Sequence, residues 1–341
     1  MQTIQLKAPY LIFVGNETSD HFAKTGAGIV EWRRSLCKGQ MNLKGGTVDL
    51  GLPSMTIKEA AEANVGSLII GTASIGGGIP DTWMDTLVEA LLEGIDIVAG
   101  VHTRLKDIPR LREAADQSGA RLVDVRIPPE NLPVGTGRKR AGKRLLTVGT
   151  DCGSGKKYTA LALEKDMKER GMNVDFRASG QTGIMIAGKG IPIDSVVVDF
   201  ISGAAELLSP ENDPEHWDII EGQGSIFHPG YAAVSMGLLM GSQPDAFIVC
   251  HEANGKFMVG WDHYVLPTIQ EVIARTIQIG KLTNKEIRCI GVSVNTSQLK
   301  PEERENYLDN LSKQIKLPCV DPLKSGTQKL IDYLNTTFNN K

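Results

Sequence analysis

Long hydrophobic runs are missing from this 341-residue sequence. Its apolar stretches are interrupted by Gly, Asp or Ser before they reach the length of a bilayer, so we expect no membrane span and no membrane partner. The N-terminal stretch has no basic leader followed by a long apolar core, so no secretion signal is predicted.

Cysteine and net charge are also scarce. The five cysteines form no CxxC pair, which argues against a disulfide framework or a structural zinc site. The net charge of −3 provides no general attraction to nucleic acid. The balance of 41% hydrophobic and 23% charged residues is typical of a globular protein. We expect a cytoplasmic homo-oligomer of two-domain chains that acts on small molecules.

The first half of the chain alternates between apolar runs and amphipathic stretches. We predict strands at 9–15, 67–71, 95–99 and 122–125, and helices at 56–64, 81–93 and 108–118. This alternation predicts a parallel sheet with crossover helices. A G-x-G-x-x-G fingerprint does not follow the first strand, so a nicotinamide dinucleotide site is not expected.

Loops at the carboxyl ends of parallel strands usually hold ligands, which draws attention to 71–80 and 100–104. His102, Arg104 and Arg126 each follow a predicted strand. Each of the three could contact a ligand or be an ordinary polar residue at a strand end, and both interpretations stay open.

A segment rich in Pro, Gly and basic residues lies between Pro128 and Arg144, which is typical of a linker. We therefore predict domains at 1–135 and 144–341. In the second domain, strands are predicted at 145–148, 173–178, 217–220, 246–250, 288–294 and 317–320, with helices between them. The whole chain is thus predicted to be an α/β protein.

The most informative stretch is RLLTVGTDCGSGKKYT, which begins at Arg144. A short apolar strand leads into a glycine-rich loop, and helical spacing begins at a lysine. This order surrounds a phosphate group with backbone N–H donors at a helix N-terminus. We expect the ligand to contact Gly149, Thr150, Asp151, Cys152, Gly153, Ser154, Gly155, Lys156, Lys157, Tyr158 and Thr159.

The loop resembles the GTDTxVGKT loop of dethiobiotin synthetase, a P-loop protein, at its GTD start and its GK end. Lys157 stands where these enzymes carry the Thr or Ser that binds Mg²⁺, so the use of Mg²⁺ is uncertain. In the same resemblance, Glu221 of EGQG corresponds to a metal-facing carboxylate and Asn295 to an adenine contact. Glu221 and Asp199 each follow an apolar run and could instead act as a base.

Longer segments carry a second resemblance, including SGQTGIMIAGKGI (179–191) and EGQGSIFHPGYAAVSMGLLMGSQPDA (221–246). On these segments the chain is identified as a member of the DgcN family. The resemblance implies a Rossmann-like N-terminal domain followed by a P-loop NTPase-like parallel-sheet domain. It also implies an acyltransferase of D-amino acid metabolism that uses acetyl-CoA as co-substrate to acetylate D-glutamate, with no metal.

Acetyl transfer to an amine requires a general base and hydrogen-bond donors for the oxyanion. The candidate bases are His228, which we favour, Glu221 and the pair His251–Glu252. His228 precedes a proline and could instead be a packed turn residue. The candidate donors are Gln181, Thr182 and the backbone of Gly180–Gly183. The residues expected to bind the substrate are Arg177, Ser179, Thr182, Gly183, Arg104 and Arg126.

Two other functions fit the same loop. One is an ATP- and Mg²⁺-dependent ligase or carboxylase, which would form ADP only when its substrate is present. The other is a non-catalytic nucleotide- or CoA-sensing module, which would be stabilised by its ligand without turnover. A cleft between the two domains is the expected place for the amino-acid pocket.

Overall fold

The computed structural model describes residues 2–20, 22–72 and 77–338. The chain divides into two compact units. The first, which we call the N-unit, comprises Gln2–Ile127 and Gln181–Pro192. The second, the C-unit, comprises Pro128–Gly180 and the chain from Ile193 onward. The predicted domains, 1–135 and 144–341, place residues 181–192 in the second domain, whereas these residues belong to the N-unit.

The strands are β1 (Gln2–Thr3), β2 (Tyr10–Gly15), β3 (Cys37–Asn42), β4 (Ser67–Ile70), β5 (Asp96–Ala99), β6 (Leu122–Asp124), β7 (Lys143–Gly149), β8 (Val174–Arg177), β9 (Lys189–Gly190), β10 (Trp217–Ile220), β11 (Ala246–Glu252), β12 (Phe257–Met258), β13 (Trp261–Val265), β14 (Arg288–Asn295) and β15 (Cys319–Val320).

The helices are α1 (Lys24–Arg33), α2 (Ile57–Glu62), α3 (Met84–Leu92), α4 (Pro109–Ser118), α5 (Lys156–Glu169), α6 (Gln181–Ala187), α7 (Ile201–Leu208), α8 (Ala232–Ser242), α9 (Ile269–Gly280), α10 (Pro301–Ile315) and α11 (Gln328–Phe338). Among the described residues, every helix is too short or too polar to span a bilayer.

The N-unit contains a five-stranded parallel sheet in the order β3-β2-β4-β5-β6. Strands β2, β4 and β5 are buried along their whole length, because their apolar side chains are covered by helices on both faces. The four strands and three helices predicted in this half are confirmed to within a few residues. Strand β3 was missed because CKGQMN shows neither an apolar run nor alternation.

Residues 181–192 lie in a stretch rich in Gly and small polar residues, and they include helix α6 and strand β9. The hydroxyls of Thr182 in α6 and Thr25 in α1 lie 3.2 Å apart and are buried. Strand β9 pairs antiparallel with β1. Both contacts are with residues distant in the sequence, so local pattern alone does not reveal them.

The C-unit contains a six-stranded parallel sheet in the order β15-β14-β11-β7-β10-β8. Strand β7 lies between β11 and β10, so the glycine-rich loop that follows it begins near the middle of the sheet. The six strands predicted for this half are all present. The hairpin of β12 and β13 was not predicted.

The apolar run before Asp199 is not a buried strand. Val197 and Val198 are each 67% exposed and lead through a 3₁₀ turn into α7. Asp199 lies in that turn and is exposed, so it does not follow a buried strand. The proposal that Asp199 faces a metal or acts as a base therefore loses its structural basis.

Candidate active site

The glycine-rich loop joins the end of β7 to the start of α5. Gly155 has a φ of +95°, a left-handed conformation that L-residues with a side chain adopt only with strain. A Cβ added to Gly149 would collide with the Ser154 hydroxyl and approach Lys156 Nζ to 3.1 Å. Both glycines are therefore required by the backbone path that brings the loop's N–H groups together.

Lys156 opens α5 and is only 5% exposed. Its ammonium group donates to the carbonyl oxygens of Asp151 at 2.7 Å and Cys152 at 2.8 Å. Burial lowers the pKa of Lys156. The side chain is folded over the loop, where its charge is available to an anion bound by the loop's N–H groups.

Several loop residues predicted to contact the ligand instead hold the loop in place. Asp151 Oδ1 accepts from the Cys152 N–H at 2.6 Å, and its Oδ2 accepts from the Val259 N–H of the β12–β13 turn at 2.8 Å. The Thr150 hydroxyl is hydrogen-bonded to His251 Nδ1 at 3.1 Å. These side chains brace the loop, and its backbone amides are the groups suited to the anion.

The hydroxyl of Thr159 does not replace the missing Mg²⁺ ligand. It is buried, lies 2.7 Å from the Ser293 hydroxyl and donates to the Gly155 carbonyl at 3.0 Å. The expectation that Thr159 contacts the ligand is therefore corrected. The Lys157 ammonium lies over the ring of Tyr158, 4.9 Å from its centroid, which is a cation–π contact.

Cys152 is a poor nucleophile in this loop. Burial raises the pKa of its thiol to about 11, although Lys156 partly opposes the shift. Since the thiolate is the reactive form, an acyl-cysteine intermediate is disfavoured.

Glu221 follows β10 and is buried beside the loop. Its Oε2 accepts from the backbone N–H groups of Ser179 and Gly180, both at 3.0 Å. Burial raises the pKa of Glu221 to about 7, because the two N–H donors and Lys157 only partly offset the loss of solvation. A carboxylate with this pKa can accept a proton at neutral pH.

The segment after Glu221 packs directly on β7 and on the loop lysine. The Gly222 N–H donates to the Thr147 hydroxyl at 2.9 Å. A Cβ on Gly222 would collide with the Thr147 carbonyl and come within 3.1 Å of Lys156 Cδ. The proton acceptor and the anion-binding loop are therefore held next to each other within the C-unit.

Ser179 supports Glu221. Its hydroxyl donates to the Glu221 carbonyl at 2.5 Å and accepts from Gln223 Nε2 at 2.8 Å. Its N–H and hydroxyl thus both support the Glu221 segment, and substrate binding by Ser179 stays a prediction. Gln223 was not singled out from the sequence, where it occupies the x position of the E-G-x-G pattern.

His228 is fully buried between aromatic rings. It is stacked on Tyr231 and meets Trp261 edge-on, with ring centroids 4.6 Å apart in each case. Burial lowers the pKa of His228, so the ring is neutral at physiological pH. The Gly230 N–H donates to Nδ1 at 3.1 Å, which assigns the proton to Nε2.

The tautomer decides what His228 can do. Its Nε2 lies 3.9 Å from Asp151 Oδ1 and has no hydrogen-bond partner in the described part of the chain. A protonated Nε2 can donate but cannot accept, and Nδ1 already accepts from the backbone. The favoured assignment of His228 as general base is therefore corrected: the geometry makes it a hydrogen-bond donor.

The same tautomer bears on metal binding. Ligand atoms of Asp151, Cys152 and His228 all lie within 4.8 Å of one another. A metal on Nε2 would require Nδ1 to carry the proton, yet Nδ1 faces the Gly230 N–H. This donor set does not fit a cation.

Arg177 is committed to an ion pair. Its Nε donates to Asp218 Oδ1 at 2.7 Å, and His216 Nε2 lies 3.0 Å from the same oxygen. Both members of the Arg177–Asp218 pair are buried. The prediction that Arg177 binds a substrate carboxylate is corrected, because removing it from this pair would leave Asp218 without its guanidinium partner.

Other predicted substrate residues belong to the N-unit. Arg126 Nη1 and His102 Nε2 are 2.7 Å apart, beyond the ends of β6 and β5, and Arg104 is exposed. In α6, Thr182 and Gly183 are buried, and the Gln181 side chain lies against Gly100 so closely that a Cβ there would collide with it. Part of the predicted ligand loop 71–80 lies outside the described residues.

Asn295 and the pair His251–Glu252 end neighbouring strands of the C-unit. Asn295 Oδ1 accepts from the Ser297 N–H at 3.0 Å. Strand β11 continues to Glu252, two residues further than predicted, and pairs there with Asn295. Burial lowers the pKa of His251, whose Nδ1 is bonded to Thr150.

Comparisons with known proteins cover almost the whole chain. A P-loop domain described as a domain of unknown function, DUF1611_C, matches residues 133–331, and the Rossmann-like domain DUF1611_N matches 41–128. A curated relative from Pseudoalteromonas, named D-glutamate N-acetyltransferase, is 45% identical over 96% of this chain and 99% of its own length. A relative of the same name from Tritonibacter scottomollicae is 44% identical over the same shares.

A solved structure extends the likeness to the fold. The crystal structure of a DUF1611 family protein from Anabaena variabilis has a TM-score of 0.89 and 31% identity to this chain. The match covers 97% of this chain and 100% of that one. The predicted fold, a Rossmann-like domain followed by a P-loop domain, is confirmed.

Proposed function

This chain belongs to the DUF1611 family, and we propose that it transfers the acetyl group of acetyl-CoA to the amine of D-glutamate, giving N-acetyl-D-glutamate and CoA. The names of the two curated relatives suggest the reaction. The structural observation that supports it is the packing of Glu221, whose pKa is raised to about 7, beside a phosphate-binding loop.

The loop is the proposed anchor of the acetyl donor. CoA carries a pyrophosphate, and the loop offers backbone N–H groups, the N-terminus of α5 and the ammonium of Lys156. No Mg²⁺ ligand is needed, since the pyrophosphate is held and not cleaved. This agrees with the buried, internally bonded hydroxyl of Thr159.

Glu221 is the proposed general base. It takes a proton from the ammonium of D-glutamate, and the free amine then attacks the thioester carbonyl. The C–S bond breaks as the oxyanion collapses, and the departing CoA thiolate takes the proton held by Glu221. Glu221 then accepts the second proton from the nitrogen of the new amide and passes it to solvent. His228, through its Nε2–H, is a candidate donor to the oxyanion or to the phosphates.

Arg104, Arg126, Gln181 and Thr182 remain sequence predictions for contacts to D-glutamate. Arg104 and Arg126 carry the positive charges suited to its two carboxylates. Gln181 and Thr182 in α6 provide amide and hydroxyl groups.

The experiment is to incubate the protein with acetyl-CoA and D-glutamate and to follow release of the CoA thiol. L-Glutamate, D-aspartate and ATP with Mg²⁺ are the comparison reactions. We expect thiol release with D-glutamate, and mass spectrometry should identify N-acetyl-D-glutamate. Thiol release at the background rate with every amino acid would refute the proposal, and substrate-dependent ADP formation would favour the ligase.

We also propose a homo-oligomer in the cytoplasm. The five cysteines are free thiols, which suits a reducing compartment. The oligomer is supported by five exposed apolar residues around α7 and α8: Val197, Val198, Phe200, Leu207 and Met236.

A further inference from the structure

The strand order gives a direction to any acyl carrier bound at the loop. Strand β7 lies between β10, which leads to Glu221, and β11. A CoA molecule held by its pyrophosphate extends both ways, with the thioester on one side and the adenosine on the other. If the thioester meets Glu221 beyond β10, the adenosine lies on the β11 side.

A cavity of about 400 Å³ lies on that side. It is lined by the end of β11, the β12–β13 hairpin, the start of α9 and one face of α10. One of its lining residues, His251, is hydrogen-bonded to Thr150 of the loop. Strand β11 also pairs with β7 up to Cys250 and Gly149, so the cavity adjoins the phosphate-binding loop.

The chemistry of the lining fits a purine ring carrying a phosphate. Phe257 is 48% exposed at the cavity and Tyr307 is half-buried in its wall, so both aromatic rings can contact a flat apolar ligand. Lys256 is exposed beside Phe257 and is the one Lys, Arg, Asp or Glu among the described lining residues. A single cation with aromatic neighbours suits a phosphorylated nucleoside better than a purely apolar ligand.

We propose that this cavity is the subsite for the 3′-phosphorylated adenosine of CoA, with Lys256 as the contact to the 3′-phosphate. The assignment rests on the proposed acetyltransferase function for its direction, but its ligand can be tested without catalysis. The 3′-phosphate distinguishes CoA from ATP and from dephospho-CoA. Lys256 is thus proposed as the residue that selects CoA among adenine nucleotides.

The test is calorimetric titration with adenosine 3′,5′-bisphosphate, CoA and dephospho-CoA. For Lys256→Gln we expect binding of CoA and of the bisphosphate to weaken about fivefold, the effect of losing one exposed charge pair. Binding of dephospho-CoA should not change. The matched control is Lys313→Gln, an exposed lysine of α10 outside the cavity, which should bind all three like the wild type.

A second variant tests the rings. Phe257→Ala removes an exposed side chain, so the fold should be retained, and we expect weaker binding of CoA and dephospho-CoA alike. Unchanged CoA affinity in both the Lys256 and the Phe257 variants would overturn the subsite. So would failure of the wild type to bind the bisphosphate at millimolar concentration.

The two proposals fail in different ways. If acetyl transfer is observed and KM for acetyl-CoA is the same in Lys256→Gln and wild type, the subsite is wrong and the function stands. If no acetyl transfer is observed but Lys256→Gln loses affinity for the bisphosphate, the subsite stands and the function is wrong.

Discussion

A buried carboxylate changes the pH range in which an enzyme can work, and Glu221 is such a carboxylate. Two backbone N–H groups stabilise its charged form, yet burial dominates and raises its pKa to about 7. The imidazole of His228 has the opposite property, since burial lowers its pKa and its proton lies on Nε2. The two side chains are therefore suited to different roles, proton acceptor and hydrogen-bond donor.

These roles predict the pH profile of acetyl transfer. A base is active when deprotonated, so kcat/KM of the wild type should fall about tenfold for each pH unit below about 7 and level off above it. In Glu221→Gln we expect activity to drop by about 10²- to 10⁴-fold, and the falling limb of the pH profile below about pH 7 should disappear.

The comparison variant is His228→Gln, which keeps a donor in place of Nε2–H. Its activity should fall, but the limb near pH 7 should remain, because Glu221 still titrates. If the limb were lost in His228→Gln and kept in Glu221→Gln, histidine would be the base and the tautomer assignment would be wrong.

At the scale of the element, strand β7, the glycine-rich loop and helix α5 form one continuous segment. Its glycines allow the backbone path over which the side chain of Lys156 is folded. The loop curves back on β7 and so brings the ammonium of Lys156 to the carbonyls of Asp151 and Cys152. The piece is braced from outside by Val259 of the hairpin and by His251 of β11. We therefore expect changes in the lysine to affect the acetyl donor more than the amino acid.

Lys156→Met should raise KM for acetyl-CoA at least tenfold, because a charge-assisted contact to phosphate is lost. KM for D-glutamate should change little. Lys165→Met, at an exposed position of the same helix, is the control and should match the wild type in both constants. Equal effects of Lys156→Met on both substrates would contradict the anchor.

Gly222→Ala tests the contact between the Glu221 segment and β7. The added Cβ collides with the carbonyl of Thr147, which is held in place by the pairing of strand β7 with its neighbours. We expect the free energy of unfolding to fall by about 1–3 kcal/mol, measured by urea denaturation. The control is Gly78→Ala, where a Cβ meets nothing within 4 Å and which should change stability little.

At the scale of the whole molecule, two parallel sheets are built from different parts of one chain, and residues 181–192 belong with the first. The largest apolar side chains left exposed on the C-unit include Val197, Val198, Phe200, Leu207 and Met236. The turn that carries Val198 and Phe200 contacts both α7 and α8, and we call these five exposed residues the α7–α8 patch. Contiguous apolar patches of this kind are typical of protein interfaces.

The α7–α8 patch is the proposed contact between copies of the chain. The double substitution Val197→Lys with Val198→Lys should reduce the mass measured by light scattering after size exclusion. Leu282→Lys is the control, since Leu282 is 74% exposed elsewhere on the C-unit and should not alter the mass. A monomeric wild type would refute the oligomer, and an unchanged mass in the double variant would refute the patch.

The sequence by itself determined the α/β class, nearly all of the sheet strands and the phosphate-binding loop. These features depend on local patterns: apolar runs become buried strands, and a glycine-rich turn before a lysine forms an N–H cradle. The polar edge strand β3 and the exposed run at Val197 were misjudged, because burial of a strand depends on what covers it.

The tertiary structure decided the chemistry of the individual side chains. Arg177 was expected to bind substrate, but Asp218 on a neighbouring strand pairs with it. The pKa of Glu221 and the tautomer of His228 depend on the groups packed around them, such as the N–H groups of Ser179, Gly180 and Gly230. Solvation and hydrogen bonding act through space, so the residues that control a site are identified only once the fold has brought them together.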